Sequence, residues 1–228
     1  MAAPSTVPDE FALLSERFAA VTDPRHARGK VHQLPGVLAL VVLGLLAGCR
    51  SLSAVGRYGA IHPEVLAPLG LRRSPSVATL HRLLGMVTVE EVRAVMRAFA
   101  LDLVARRGTA DAVTEVALDG KTLRGTPEDG APRRVLRAFA QHAALALDQA
   151  PAAPLQGEVT AATAWLADVA GAFPGLAILT GDALFAEQSL CAAVVAGQRD
   201  YVLRLKKTSP PSSPTSRSSS PSPARPTP

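Results

Sequence analysis

Cysteine is scarce in this chain, with Cys49 and Cys191 the only two in 228 residues. They lie far apart without metal-like spacing, which argues against a disulfide framework and a zinc site and reads as small buried hydrophobes in a reducing compartment. Acid is missing from one end: residues 206–228 carry Lys206, Lys207, Arg217 and Arg225 but no Asp or Glu. Of the formal +5, those four charges leave only +1 for everything before them, and the body is nearly neutral. A nucleic-acid surface would therefore have to come from local clusters, such as Arg25, His26, Arg28, Lys30 and His32, or the Arg72 and Arg73 pair. An uninterrupted membrane-length apolar run is also lacking. Residues 34–48, LPGVLALVVLGLLAG, fall short of the roughly 18 to 20 residues needed and contain Pro35, Gly36 and Gly44. They follow Asp9, Glu10, Glu16 and Asp23, too late for an ordinary signal peptide, so a buried helix and no membrane segment are expected.

What is present divides into three textures. With 48% hydrophobic residues the chain can bury one substantial core or two modest ones. Residues 1–108 read as helical: Phe11, Leu14, Phe18 and Val21 recur at helical spacing before Pro24, and residues 51–60 and 74–86 give two further short helices. Thr88 and Glu91 have the spacing of a capping box and open a helix through about Arg107, with Gly108 as its stop. Residues 109–207 read as α/β. AVTEVALD is a strand, residues 133–149 read as two strands or a hairpin although their alanines also suit a helix, and a helix runs from Glu158 to Ala170. GLAILTGD is a strand, Glu187 to Ala196 a helix, and DYVLRLK a last strand. The fold class expected is α+β or α/β, a helical domain followed by a mixed sheet. Residues 208–228 are Ser/Pro-rich, cannot bury a core and are expected to be disordered.

Two strands end on aspartate. If the strands of Asp119 and Asp182 are neighbours, both carboxylates project at one sheet edge, where α/β sheets bind ligands. Paired carboxylates repel unless a cation lies between them, and hard oxygen ligands suit Mg²⁺ or Mn²⁺. Two such ions about 3.5 to 4 Å apart activate a nucleophile and stabilise the leaving oxygen in phosphodiester chemistry. The same two residues also read as turn formers or helix caps. The Gly120-Lys121-Thr122 triplet is no P-loop, because Glu115 stands where the motif needs its first glycine. His142 falls in an otherwise apolar strand and reads as a hydrogen-bonded structural histidine.

Four stretches together resemble a known family: DPRHARGKVHQLPGVLALVVLGLLAGCRSLSAVGRYG, VALDGKTLRG, LTGDALFAEQ and YVLRLKK. Their order and spacing over residues 10–207 are similar to the bacterial insertion-sequence transposases of the ISAs1 type, including H-repeat-associated proteins, within the IS4-like DDE group. The resemblance implies a helical N-terminal domain and a ribonuclease-H-like catalytic domain that uses Mg²⁺ (or Mn²⁺) to cut DNA and join its ends. It makes Asp119 the first catalytic acid and metal ligand and Asp182 the second. Glu158 is a secondary candidate, in a segment where Gln156 and Gly157 depart from the family's Lys-x-Asn-Glu pattern. Lys121 and Arg124 are candidate phosphate contacts near the metals, and Thr79 and Arg82 share a helix face that could meet DNA.

The family's third acid, a glutamate on a helix after the last strand, has no counterpart, since no Asp or Glu follows Asp200. Family members continue from the double lysine with Asn-Gln-Pro. Codons for TSPPSSP, shifted by one added A, can encode Asn-Gln-Pro-Ala-Leu-Leu-Ala, so a single-nucleotide loss near codon 207 and an out-of-frame tail are expected. The reading is thus a DNA transposase acting on insertion-sequence ends, cytoplasmic and nucleoid-associated, and inactive as this chain. Its alternatives are a non-catalytic DNA-binding or regulatory fragment, able to form homo-oligomers or bind full-length transposase, and a small membrane-associated protein anchored by residues 34–48.

Overall fold

The structure, a computed structural model, describes residues 9–26, 28, 30–106, 113–128, 131–152, 157–169 and 172–205. Its first part is helical. Helix α1 (Asp9–Phe18) buries Leu14 and Phe18, four apart and therefore on one side. Helix α2 (Leu34–Leu46) carries Pro35 in its first turn, where a missing N–H costs nothing, and buries Leu34, Val37, Leu38 and Leu40. Its thirteen residues span about 20 Å against the roughly 30 Å of a bilayer's hydrocarbon core. Among the described residues no helix is long and apolar enough to cross a membrane. Gly36 faces the Leu69 carbonyl so closely that a Cβ would overlap it, which is why the run can be interrupted by glycine yet stay buried.

Helix α3 (Leu52–Ile61) starts at Ser51, whose hydroxyl accepts from the Ala54 N–H, and α4 (Val77–Leu84) starts at Ser76, which caps the Thr79 N–H. Each satisfies a donor that a helix start leaves orphaned. Leu14, Phe18, Val37, Leu40, Val55 and Leu80 close this part into one core, and Val95 of α5 (Val89–Arg106) joins it. The expected capping box at Thr88 is not formed. The Glu91 carboxylate instead accepts from the Thr22 hydroxyl at 2.7 Å and the Thr22 N–H at 3.3 Å, tying α5 to the end of the α1 segment.

The second part is a five-stranded mixed sheet, ordered β3-β2-β1-β4-β5. Strands β1 (Glu115–Glu128), β2 (Ala131–Ala140) and β3 (Leu145–Ala152) form an antiparallel meander. Helix α6 (Gly157–Val169) then crosses to β4 (Ile178–Gly181), parallel to β1, and α7 (Gln188–Ala196) crosses to β5 (Asp200–Leu203), parallel to β4. Val116, Leu118, Leu136, Leu147 and Leu179 point to one face and pack under Trp165, Leu166 and Val169 of α6 and Leu190 and Val194 of α7. Helices on one side of a sheet with an antiparallel meander make the class α+β. On the opposite face Ala117, Phe139, Thr180 and Val202 stand in register across four strands. That face is open among the described residues, with Phe139 41% and Val202 65% exposed.

Several sequence expectations are corrected here. Strand β1 does not stop on Asp119 but continues to Glu128, because β2 supplies a hydrogen-bonding partner beyond it, with a register shift between Thr122 and Pro127. His142 lies not in a strand but in the exposed turn between β2 and β3, its Nδ1 3.8 Å from a Glu115 carboxylate oxygen. Strand β5 is shorter than expected, ending at Leu203. Arg107, Gly108 and residues 208–228 lie outside the described residues.

The two parts are joined through α5. Its Val104 belongs to the sheet's core, and Arg93 grips Asp148 of β3 with two hydrogen bonds of 2.8 Å. The Asp148 side chain is 1% exposed and also accepts from the Trp165 indole N–H at 3.1 Å and the Gln149 N–H at 2.7 Å. Arg97 reaches Asp148 at 3.6 Å and pairs with Asp168 of α6, whose carboxyl it holds below the usual range. A buried charge with all its partners is tolerable, whereas one stripped of them is strongly destabilising. Asp148→Ala should therefore lower unfolding stability by about 3 kcal/mol, while Arg17→Ala, which removes a half-exposed pair with Asp102, should cost less than about 1 kcal/mol. Urea unfolding of the two variants checks the contrast.

Candidate functional site

Strands β1 and β4 pair in parallel as far as Leu118 and Gly181, so Asp119 and Asp182 each follow the last paired residue. Strand alternation puts both on the open face, since Leu118 and Gly181 point to the helix-covered one. Asp182 is extended (φ −77°, ψ −177°), keeping that alternation, and one of its carboxylate oxygens accepts from the Leu184 N–H at 2.9 Å at the start of a short 3₁₀ turn (Ala183–Phe185). Both roles weighed for Asp182 are thus compatible: one oxygen caps the turn and the other remains available. Arg137 of β2 stands directly across from Asp119 in register, and Lys121 follows two residues along β1 on the same face. Two carboxylates flanked by two cations make this part of the open face polar.

Glu158 arrives from the other side. It occupies the first turn of α6, after Gly157 at φ +71°, and its carboxyl rests on Gly120 so closely that a Cβ there would overlap it. Gly120 points to the helix-covered face. The fold therefore brings Glu158 beside the strand that carries Asp119, but not onto the same face as its carboxylate. Among the described residues no group of three or more His, Cys, Asp or Glu side chains gathers in a way that would hold a metal ion. Two hard oxygen donors on adjacent strands suit a single Mg²⁺ that keeps several of its waters. Arg124 lies further along β1.

The other two candidates, Thr79 and Arg82, belong to α4 and line a cleft of about 520 Å³ in the helical part. Arg25, His26, Arg28, His32 and Arg73 line it with them, so two segments distant in sequence, 24–32 and 73–86, meet in one place. Thr79 is half-buried, and its hydroxyl is engaged with Ser76 Oγ at 2.9 Å. Arg82 is exposed and bonds only weakly to its own helix, Nε to the Ala78 carbonyl at 3.3 Å. Arg25 is held by Asp23 and donates to the His32 carbonyl at 2.9 Å, and beside it the Asp23 carboxyl is held well below the usual carboxylate range. His32 is buried, and burial first, then the charges of Arg73 and Arg25, hold its pKa below 6.5.

Sequence reasoning did not find the Asp148 network or Arg137. A lone acid in the apolar stretch LALDQ gives no sign that its arginine lies on a helix far upstream. The cleft's parts were visible singly, but nothing in the sequence said that the segment carrying Arg25 and Arg28 packs beside α4.

Residues 15–100 match the family model described as DDE_Tnp_1-associated, a domain found in DDE-type transposases. The match supports a transposase-related protein. It covers α2, α3 and α4, the end of α1 and most of α5, and hence the cationic cleft, while the sheet lies outside it. The partner that such a protein implies is DNA. Comparisons with curated proteins and with solved structures found no match.

Two outcomes follow from the geometry. Gly120→Ala should displace the flexible Glu158 carboxyl rather than the backbone, costing about 1 kcal/mol or less. Thermal unfolding of this variant and of Gly120→Ala with Glu158→Ala should show the second change relieving the first. His32 binds a proton more readily in the unfolded chain than in the folded one. Its contribution is therefore full above about pH 6.5 and is lost as pH falls. The urea midpoint of His32→Gln should vary less between pH 7.5 and 5 than that of the parent.

Proposed function

We propose that this chain derives from a DNA transposase of the ISAs1 type, with the sheet as the ribonuclease-H-like catalytic part and the helical part as its DNA-contacting companion. The observation that carries the reading is the parallel β1 and β4 pairing that sets Asp119 beside Asp182, found in a chain whose first part matches a transposase-associated family. In this reading Asp119 and the free oxygen of Asp182 hold one Mg²⁺ or Mn²⁺ at the open face. A bound divalent ion supplies Lewis-acid stabilisation of charge on phosphodiester oxygens. The residues themselves do the positioning: Arg137 and Lys121 attract the phosphate backbone to the edge, and the cap from Leu184 N–H holds the Asp182 carboxylate in orientation.

In this reading the two acids hold one metal ion, and strand cleavage that needs a second ion is not expected of them alone. Its working role is then that of a non-catalytic DNA-binding or regulatory form, located with DNA in the bacterial cytoplasm. Glu158 is not part of the metal set in this reading, because it lies on the other face of the sheet.

The test is metal binding followed by catalysis. Mn²⁺ titration followed by water-proton relaxation should report one weak site, lost in Asp119→Asn and in Asp182→Asn but kept in Glu158→Gln. On labelled element-end DNA with Mg²⁺ the chain should produce no nick above background, and a frame-restored version should nick, dependent on Asp119. Cleavage by the chain that persists in Asp119→Ala would refute the assignment, as would Mn²⁺ binding indifferent to both aspartates.

A further inference from the structure

Two sets of arginines in this chain contrast with one another. Arg17, Arg25, Arg93 and Arg97 each pair with an aspartate at 2.8 Å or less and tie elements or loops together. Arg28, Arg73 and Arg82 have no acidic partner among the described residues, although all three line one cleft. Like charges gathered without counter-charges repel one another and gain nothing for the fold. Among the described residues no carboxylate lines the cleft, whose apolar residues are Pro24, Val31, Leu83 and Met86.

A second cavity of about 520 Å³ adjoins the first, sharing Val31, His32 and Arg73 and adding Arg72 and also Lys30, which pairs with Asp23 at 3.2 Å. The cations thus continue past Arg73, a layout that suits a ligand with repeated negative charges better than one small anion. His32, buried and neutral near neutral pH, holds Arg25 through its carbonyl and forms part of the wall common to both cavities.

We infer that this groove in the helical part, with Arg28, Arg73 and Arg82 as its contacts, is a docking surface for the phosphate backbone of duplex DNA, separate from the carboxylate edge of the sheet. The choice of duplex DNA among polyanions rests on the transposase reading above; the groove itself does not. Arg25 is a positioning residue, locked by Asp23 and ordering the segment that carries Arg28.

The experiment measures binding of the full chain to a fluorescent 20-base-pair duplex in EDTA, so that metal binding at the sheet plays no part. Each arginine removed should weaken binding about tenfold at 0.1 M salt, and Arg28→Ala, Arg73→Ala and Arg82→Ala together should lower the slope of log K against log salt by about 3. The matching lysine variants should keep most of the slope, and Arg57→Ala, an exposed arginine outside the groove, should change binding little. If the triple variant is less stable, the single variants carry the test, with thermal midpoints as the check on folding. Unchanged affinity and slope in the triple variant, with loss in Lys121→Ala and Arg137→Ala, would place DNA on the sheet and overturn the groove while leaving the transposase reading intact. Tighter binding of single-stranded RNA would overturn the choice of duplex. No salt-dependent duplex binding by the parent chain would overturn the groove and the DNA-binding role together.

Discussion

The carboxylate of Asp148 is the constraint on which the arrangement of the two parts depends. A charge 1% exposed inside an apolar sheet has to be surrounded by donors, and the chain draws them from three elements: Arg93 and Arg97 from α5, Trp165 from α6, and the backbone next to Asp148 itself. Each donor has its own secondary demand. Arg97 also binds Asp168, which anchors α5 to the far end of α6, and the Trp165 ring is part of the core under the sheet. Satisfying one buried acid therefore sets the approach of α5 to the edge strand β3 and, with it, the relation of the helical core to the sheet. Burial of ions in this way contributes little net stability compared with an apolar substitute of the same shape, but it is directional. Apolar packing alone would let α5 slide along β3; two parallel hydrogen bonds from a guanidinium do not.

That fixed relation separates the two candidate surfaces. α5 and the network occupy the β3 edge, α6 and α7 occupy one face, and the open face retains Asp119 and Asp182 in the middle of the sheet. The cationic groove lies among the loop before α2, the loop before α4 and α4 itself, all in the helical part. The carboxylate edge and the cationic groove are thus built on different scaffolds. A polyanion can be held at the groove without its phosphates having to meet the aspartates directly, and a cation is needed only where backbone and carboxylates come together.

Much of this fold was legible in the sequence, and the misses share a cause. The apolar run from Leu34 with Pro35 at its start reads as a buried helix, and the alternation around Leu136 and Leu147 reads as a hairpin, because those signals are local. The adjacency of Asp119 and Asp182 was conditional on two strands being neighbours, which no local pattern decides; the β1 and β4 register supplies it. Glu91 had the spacing of a capping box, yet Thr22, 69 residues away, takes its carboxylate. Asp119 read as the end of a strand, yet β2 pairs with Gly120, Lys121 and Thr122 and carries the strand onward. In each case a partner remote in sequence competed with a local one and won, as tertiary contacts commonly do over weak local preferences.

The aspartate that ended an apparent strand therefore marks something different from a chain end. At Asp119 β1 loses its parallel partner β4 but keeps its antiparallel partner β2, so the sheet narrows on one side only. A carboxylate placed at such a step has open space where β4 stops, and the first residue after β4, Asp182, turns away into a 3₁₀ turn that its own side chain caps. Hydrophobic residues at these two positions would leave the step apolar and the turn uncapped. Polar residues there satisfy the step, and in the proposed reading a cation between the two acids would relieve their repulsion. The structural role and the proposed chemical role thus call for partly different side chains: asparagine would serve at Asp182 for capping, but only a carboxylate at both positions makes the cation favourable.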